Sequence, residues 1–287
     1  MEAIHTPVLT EELKALLNLG KGDKAIDATM DGGGHAKMML GLVGGEGIIL
    51  GIDQDEAMIK LMPENKNFLT ALGNFRNIDL LAKQKGFGKA KAILFDLGMS
   101  RWHLEQSGRG FSFGRSKEPL LMNLGAGAKS AAEIVNQTSE RELTRIFREF
   151  GEEPRARLIA KKLVLARKKG KMLSVGDFLA ALGIDDIRGK ERLLARVFQA
   201  LRIAVNDELA ALLEGLLKGF EILLPGGRLA AISYHSLEDR IVKNFFKKLS
   251  ADGRAEILTK KPIVAGDEEV RRNSSARSAK LRVLEKI

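Results

Sequence analysis

The feature that most constrains this chain is a glycine-rich turn set between two apolar runs. Residues 27–35 read Asp-Ala-Thr-Met-Asp-Gly-Gly-Gly-His. A strand expected over 24–29 enters the turn, a helix over 35–42 leaves it, and a second strand over 47–52 delivers Asp53. Strand, turn, helix and strand in that order make a βαβ unit and so a parallel sheet. Glycines let backbone approach a ligand closely. A carboxylate about 20 residues further on can accept both hydroxyls of a ribose. The turn therefore suits a ligand built on adenosine. The strict dinucleotide pattern fails, because its third glycine would fall on Lys37, and Asp31 would repel a pyrophosphate. A ligand with no phosphate and a cationic end, such as S-adenosylmethionine, fits better. The plainer alternative is a tight strand-to-helix turn that binds nothing.

The rest of the chain extends the pattern and then interrupts it. Helices are expected over 55–61 and 78–85, with strands over 68–72 and 90–95, the latter ending at Asp96. From 104 to 204 the periodicity turns almost wholly helical. Ser139-x-x-Glu142 and Ser174-x-x-Asp177 look like capping boxes, and Gly170 marks a helix end. The βα pattern resumes with a helix over 207–223, the turn Pro225-Gly226-Gly227 and a strand over 228–234. Ser236-x-x-Asp239 is expected to cap a helix running to Leu249. Strands over 256–264 and 280–286, joined by a charged loop, can then pair as an antiparallel hairpin. The expected fold is α/β: five parallel strands plus a terminal hairpin, the layout of Rossmann-like methyltransferases, interrupted by an all-helical insert. The expected domains are 1–103 with 205–287, and 104–204.

Charge is distributed unevenly over these parts. The chain carries a net +10. Residues 104–204 hold 20 Lys/Arg and 12 Asp/Glu, so the insert accounts for +8 of that excess. Between Arg155 and Lys171 stand eight basic residues and no acid. Such a run is often only a solvated helix face, but its concentration in one module favours a polyanionic partner, nucleic acid before a membrane surface. The chain has no cysteine, which excludes disulfides and thiolate metal sites, and its four histidines show no metal-ligand spacing. No apolar run is long enough for a membrane span and no secretion signal is evident, so the cytoplasm is the expected compartment.

Eight short motifs then occur in order along nearly the whole chain. They are His5-Thr6-Pro7-Val8-Leu9, the Gly33-Gly34-His35 turn, Phe95-Asp96-Leu97-Gly98, Arg109-Gly110-Phe111-Ser112-Phe113, Ser130-Ala131-Ala132-Glu133, Phe198-Gln199-Ala200-Leu201-Arg202-Ile203, Ser236-Leu237-Glu238-Asp239-Arg240 and Arg277-Ser278-Ala279-Lys280-Leu281-Arg282. In these the chain resembles the bacterial methyltransferases that modify N4 of a cytosine in small-subunit ribosomal RNA, at the decoding centre. The resemblance implies S-adenosylmethionine as cofactor. It further implies that Gly33, Gly34 and His35 line the methionine end, that Asp53 holds the ribose, and that Phe75 and Asp96 flank the adenine side. The implied partner is small-subunit ribosomal RNA, free or in an assembled subunit. Whether the chain dimerises stays open.

Each assignment has an ordinary structural alternative. Asp53 can cap the next helix, Phe75 can be core, the His35 ring can simply close its turn, and Asp96 can cap the loop after it. Methyl transfer needs alignment more than acid–base machinery. An exocyclic amine is nevertheless a poor nucleophile, and Asp96 is the residue expected to accept its N–H and favour the attacking form. Tyr234-His235 can face the incoming base, or His235 can be a satisfied strand-end residue.

The chain departs from the family's pattern in three places. Arg101-Trp102-His103-Leu104 stands for Ser-Pro-Gln-Leu, so His103 occupies the position of a glutamine expected to touch the cofactor. Leu121-Met122-Asn123-Leu124 stands for Asp-Met-Arg-Met, and Asp31 replaces a usual glycine. Two other functions compete with methyl transfer: an RNA-binding or ribosome-assembly protein that keeps the fold with little catalysis, and a nicotinamide oxidoreductase. The glycine spacing and the terminal hairpin disfavour the oxidoreductase.

Overall fold

A computed structural model of the protein describes residues 7–62, 64–125 and 129–287. Residues His5 and Thr6 of the first motif lie outside the described residues. The chain divides into two compact units, one formed by 1–100 with 209–287 and the other by 101–208.

In the first unit, strands and helices alternate as α1 (Thr10–Leu16), β1 (Lys24–Asp27), α2 (Gly34–Val43), β2 (Ile48–Asp53), α3 (Glu56–Lys60), β3 (Phe68–Leu72), α4 (Ile78–Gln84) and β4 (Ala90–Asp96). The second unit contains α5 (Arg101–Glu105), α6 (Ala131–Gln137), α7 (Glu140–Glu149), α8 (Ala156–Ala166), α9 (Val175–Leu182) and α10 (Glu191–Asn206). The chain continues with α11 (Glu208–Glu221), β5 (Leu223–Ser233), α12 (Ser236–Ala251), β6 (Ala255–Ile257), α13 (Asp267–Arg272) and β7 (Lys280–Lys286).

The seven strands lie in the order β3-β2-β1-β4-β5-β7-β6. The first five pair in parallel, and β7 runs antiparallel to both β5 and β6. The mostly parallel sheet and terminal antiparallel pair agree with the expected Rossmann-like class. The strands read as continuous apolar runs because both sheet faces are covered. Successive residues alternate between two cores. Ile26, Leu50, Ile93 and Phe95 pack with Leu216, Phe220 and Phe246 on one face. Ala25, Ile49, Ala92 and Leu94 pack with Leu13, Ala36 and Met39 on the other.

Several local expectations are corrected. Among the described residues, 106–125, 129 and 130 form no helix. Gly108 and Gly110 sit at positive φ there, Met122 does so at +59°, and a side chain at Gly110 would collide with the Pro119 carbonyl. Ser139 accepts the Glu142 N–H, but the Glu142 carboxylate turns to Arg145, so this is half a capping box. The reciprocal box at Ser174–Asp177 forms in full, as does one at Ser130–Glu133. Helix α8 ends before Gly170, with Arg167 as its cap. The N-cap of α12 is His235 and not Ser236. Strand β6 is short, and the link from it to β7 carries helix α13 instead of a plain loop.

Candidate functional site

Three neighbouring parallel strands, β1, β2 and β4, each end in aspartate: Asp27, Asp53 and Asp96. In register, Asp27 lies opposite Gly51 on β2 and Leu94 on β4, so Asp53 and Asp96 each stand two residues further along. This is the C-terminal edge of the sheet, where open α/β folds place their ligands.

The glycine turn is folded over this edge. Asp31 adopts a left-handed φ of +46°, a conformation that glycine adopts freely and that aspartate tolerates at a cost. Gly33, at φ +74°, is the N-cap of α2. A Cβ built there would fall 2.6 Å from Met62 Sδ, and one on Gly34 would fall 2.9 Å from Pro7 Cδ. The positive φ at Gly33 and the rigid Pro7 ring against Gly34 therefore both favour bare backbone. Asp53 ties the turn down: its Oδ2 accepts the Asp31 N–H and its Oδ1 accepts the Asp55 N–H, each at 2.8 Å. The cap of α3 is supplied by Asp55, whose Oδ1 accepts the Ala57 N–H.

Asp96 is nearly buried and surrounded by polar groups. Its N–H donates to Thr29 Oγ1 at 2.7 Å, and its Oδ2 lies 3.2 Å from His35 Nε2. The phenol of Tyr234 lies against the same carboxylate, and burial together with the Asp96 charge holds that phenol far above its ordinary pKa. Behind them Asp27 is fully buried. Its Oδ1 accepts the Thr29 N–H at 3.3 Å, while its Oδ2 has no hydrogen-bond partner, nor does His35 Nδ1. Burial pushes the Asp27 carboxyl up to about 7, against the opposing pull of His35 and the Thr29 N–H.

The edge as a whole is anionic, with unpaired acceptor capacity at Asp27 and donor or acceptor capacity at His35. That chemistry matches a cationic ligand bearing a ribose and excludes a pyrophosphate on electrostatic grounds. Gly33, Gly34, His35, Asp53 and Asp96 come together here. Phe75 follows β3 in the same unit, with its ring edge-on to Phe95 at 5.6 Å and packed on Gly215. His103 belongs to the other unit, where it is buried on α5 with ring contacts to Trp102 and Phe111. His235 caps α12, accepting the Glu238 N–H on Nδ1 at 3.4 Å, while its Nε2 lies 3.0 Å from Glu238 Oε1 without forming a hydrogen bond. Sequence reasoning gave Asp27 no role, although the recurrence of an apolar run ending in aspartate was its visible signal.

Within the second unit the basic run resolves into two groups. Arg167 donates to the carbonyls of Val135 and Thr138 at the end of α6, and Lys162 to that of Leu182 at the end of α9. Arg155, Arg157, Lys161, Lys168, Lys169 and Lys171 are exposed and make no ion pair among the described residues. The altered segment at 121–124 is held by backbone contacts. Asn206 accepts the Leu124 N–H and donates to the Met122 carbonyl, while Arg109 reaches the carbonyls of Asn123 and Leu124.

Comparison with known proteins agrees along the whole length. The MraW methylase family matches residues 2–287. The chain is 45% identical to the ribosomal RNA small subunit methyltransferase H of Dictyoglomus thermophilum, over 100% of this chain and 98% of that protein. It is 43% identical to the protein of the same name from Elusimicrobium minutum, covering 99% and 98%. By this match and its fold, the chain belongs to the MraW methylase family.

Proposed function

We propose that this protein is an S-adenosylmethionine-dependent methyltransferase that methylates N4 of a cytidine in small-subunit ribosomal RNA. The observation that carries the reading is the anionic strand edge, Asp27, Asp53 and Asp96 with His35, folded under a glycine turn in a chain of this family. The relatives' names supply the substrate class.

When bound, S-adenosylmethionine supplies a methyl group on a sulfonium sulfur, open to attack by a nitrogen lone pair. Asp53 is the ribose acceptor, and Phe75 and Asp96 bound the adenine side. Gly33, Gly34 and His35 take the methionine end, where the unpaired Asp27 and His35 atoms suit an ammonium and a carboxylate. His103 is proposed as a further cofactor contact, in place of the family's glutamine. Asp96 accepts an N–H from the target amine, which favours its pyramidal, attacking form, and takes the proton that the methylated nitrogen sheds. The target base has to leave its stack, which is easiest for an unpaired nucleotide. The exposed lysines and arginines of the second unit grip the RNA backbone meanwhile. The reaction is placed in the cytoplasm, and no helix among the described residues is long and apolar enough to cross a membrane.

The test is methyl transfer from labelled S-adenosylmethionine to small ribosomal subunits and, separately, to their free RNA, followed by digestion and mass spectrometry of the nucleosides. Labelled N4-methylcytidine is the expected product. A protein that binds the RNA and transfers no label is an assembly factor, and the reading fails.

A further inference from the structure

Tyr234 stands immediately after β5, whose Ile232 lies opposite Asp96 in the parallel register. The chain therefore brings Tyr234 to the level just beyond that carboxylate. Its ring covers Gly98, two residues after Asp96. A Cβ at Gly98 would fall 2.6 Å from the Tyr234 Cε2 and 2.8 Å from its Cζ. The absence of a side chain at Gly98 is what lets the ring reach inward, and this brings the phenol to face the Asp96 carboxylate. On its other side the same carboxylate has His35 Nε2 at 3.2 Å from Oδ2. The other charged groups facing the phenol are Glu238 and Asp31, both acids, so Asp96 has competition for it.

The tyrosine is itself fixed from behind. Its N–H donates to Glu238 Oε2 at 2.8 Å. Strand β5 is hydrogen-bonded between β4 and β7, and Arg282 of β7 holds Asp239 of α12 at 2.7 Å. A carboxylate rotates readily about its last torsion. Neighbours anchored on separate elements restrict that freedom, and a rotated Asp96 would present the wrong lone pair to an incoming amine.

We propose that Tyr234 is a positioning residue for the methyl transfer, its phenol holding the Asp96 carboxylate in the orientation that receives the target amine. The inference rests on the reading of Asp96 as the acceptor of that amine. Gly98 belongs to the same device, since its bare backbone is the seat of the ring.

The test is a double-mutant cycle between Tyr234 and Asp96, read as kcat at saturating cofactor with small ribosomal subunits or their RNA, whichever the wild type methylates. Tyr234→Phe keeps the ring over Gly98 and removes only the hydroxyl, and a thermal melt checks that the fold is kept. Loss of a hydrogen bond to a charged group should lower kcat about 10- to 100-fold. The KM for S-adenosylmethionine should stay within about twofold of the wild type. In an Asp96→Ala background the same substitution should cost less than about twofold, because the group it orients is gone. Unchanged kcat in Tyr234→Phe overturns the proposal, as do equal losses in both backgrounds or a loss confined to cofactor KM. A wild-type protein that transfers no methyl at all is a different result: it removes the function reading, and this proposal falls with it.

Discussion

Asp53 Oδ2 accepts the backbone N–H of Asp31 and its Oδ1 that of Asp55, so one carboxylate joins the glycine turn to the start of the following helix. The residue that reads the ribose is thus also the strut of its own site. Asp53→Ala should weaken S-adenosylmethionine binding at least tenfold in calorimetry. It should also destabilise the protein by about 1–3 kcal/mol, since two backbone donors lose their acceptor. Asp53→Asn, which keeps one carbonyl oxygen, should lose less stability. A cofactor affinity unchanged in Asp53→Ala would remove the residue from the ribose contact.

Asp96→Ala should reduce kcat by about 10²–10⁴-fold, the range for a lost acid–base group. Single-turnover methyl transfer at saturating cofactor is the measurement, because it separates chemistry from binding. Turnover equal to the wild type would leave Asp96 only a structural role at the strand end.

Asp27 makes stability depend on pH in an uncommon direction. The folded-state carboxyl titrates near 7, above the ordinary value of 3.8. Between those limits the folded chain keeps a proton that the unfolded chain releases, so stability falls as pH rises from about 4 to 7. Below that window the penalty is absent, and above it the penalty is complete. Asp27→Asn, which cannot ionise, should flatten this part of the denaturation curve and should gain most over the wild type at pH 8. A cationic ligand beside Asp27 favours the ionised form. Cofactor binding near pH 7 should therefore release a proton, seen as a binding heat that varies with the ionisation heat of the buffer.

The basic run of the second unit should separate by mutation into two classes. Reversing charge at Arg155, Arg157, Lys161, Lys168, Lys169 and Lys171 should weaken RNA binding, and if all six meet phosphates the salt slope should fall by about 4. Cofactor affinity should not change. Arg167→Ala should act instead on the melting temperature, because Arg167 satisfies two carbonyls at the end of α6. A loss of RNA affinity from Arg167→Ala as large as that from the exposed residues would contradict this division.

The parts of the fold carried by local patterns were legible in the sequence. The apolar runs ending at Asp53 and Asp96 located strand ends to within a residue, and the Ser174–Asp177 box located the start of α9. Partnerships across long separations were not legible. Nothing near Ser236 reveals that Asp239 is held by Arg282, 43 residues away, leaving His235 and Glu238 to build the cap. The span 106–125 contains enough apolar residues to suggest helix. Its backbone is instead fixed by Asn206, 82 residues from Leu124, and by positive-φ positions at Gly108, Gly110 and Met122. The role of Tyr234 depends on Gly98, which lies on a different strand end and would read in sequence only as a turn glycine.

The interruption between β4 and β5 has a kinetic consequence. These strands are neighbours in the sheet, yet Asp96 pairs in register with Ile232 across the whole of the second unit. Contacts between successive helices inside residues 101–208 close short loops, whereas the β4–β5 ladder must close a long one, and rates fall as sequence separation grows. The helical unit should therefore acquire its structure first, and docking of β5 onto β4 should be a late event in refolding. Asp96 and Tyr234 meet only through that docking, so recovery of methyl transfer should lag behind recovery of helical circular dichroism.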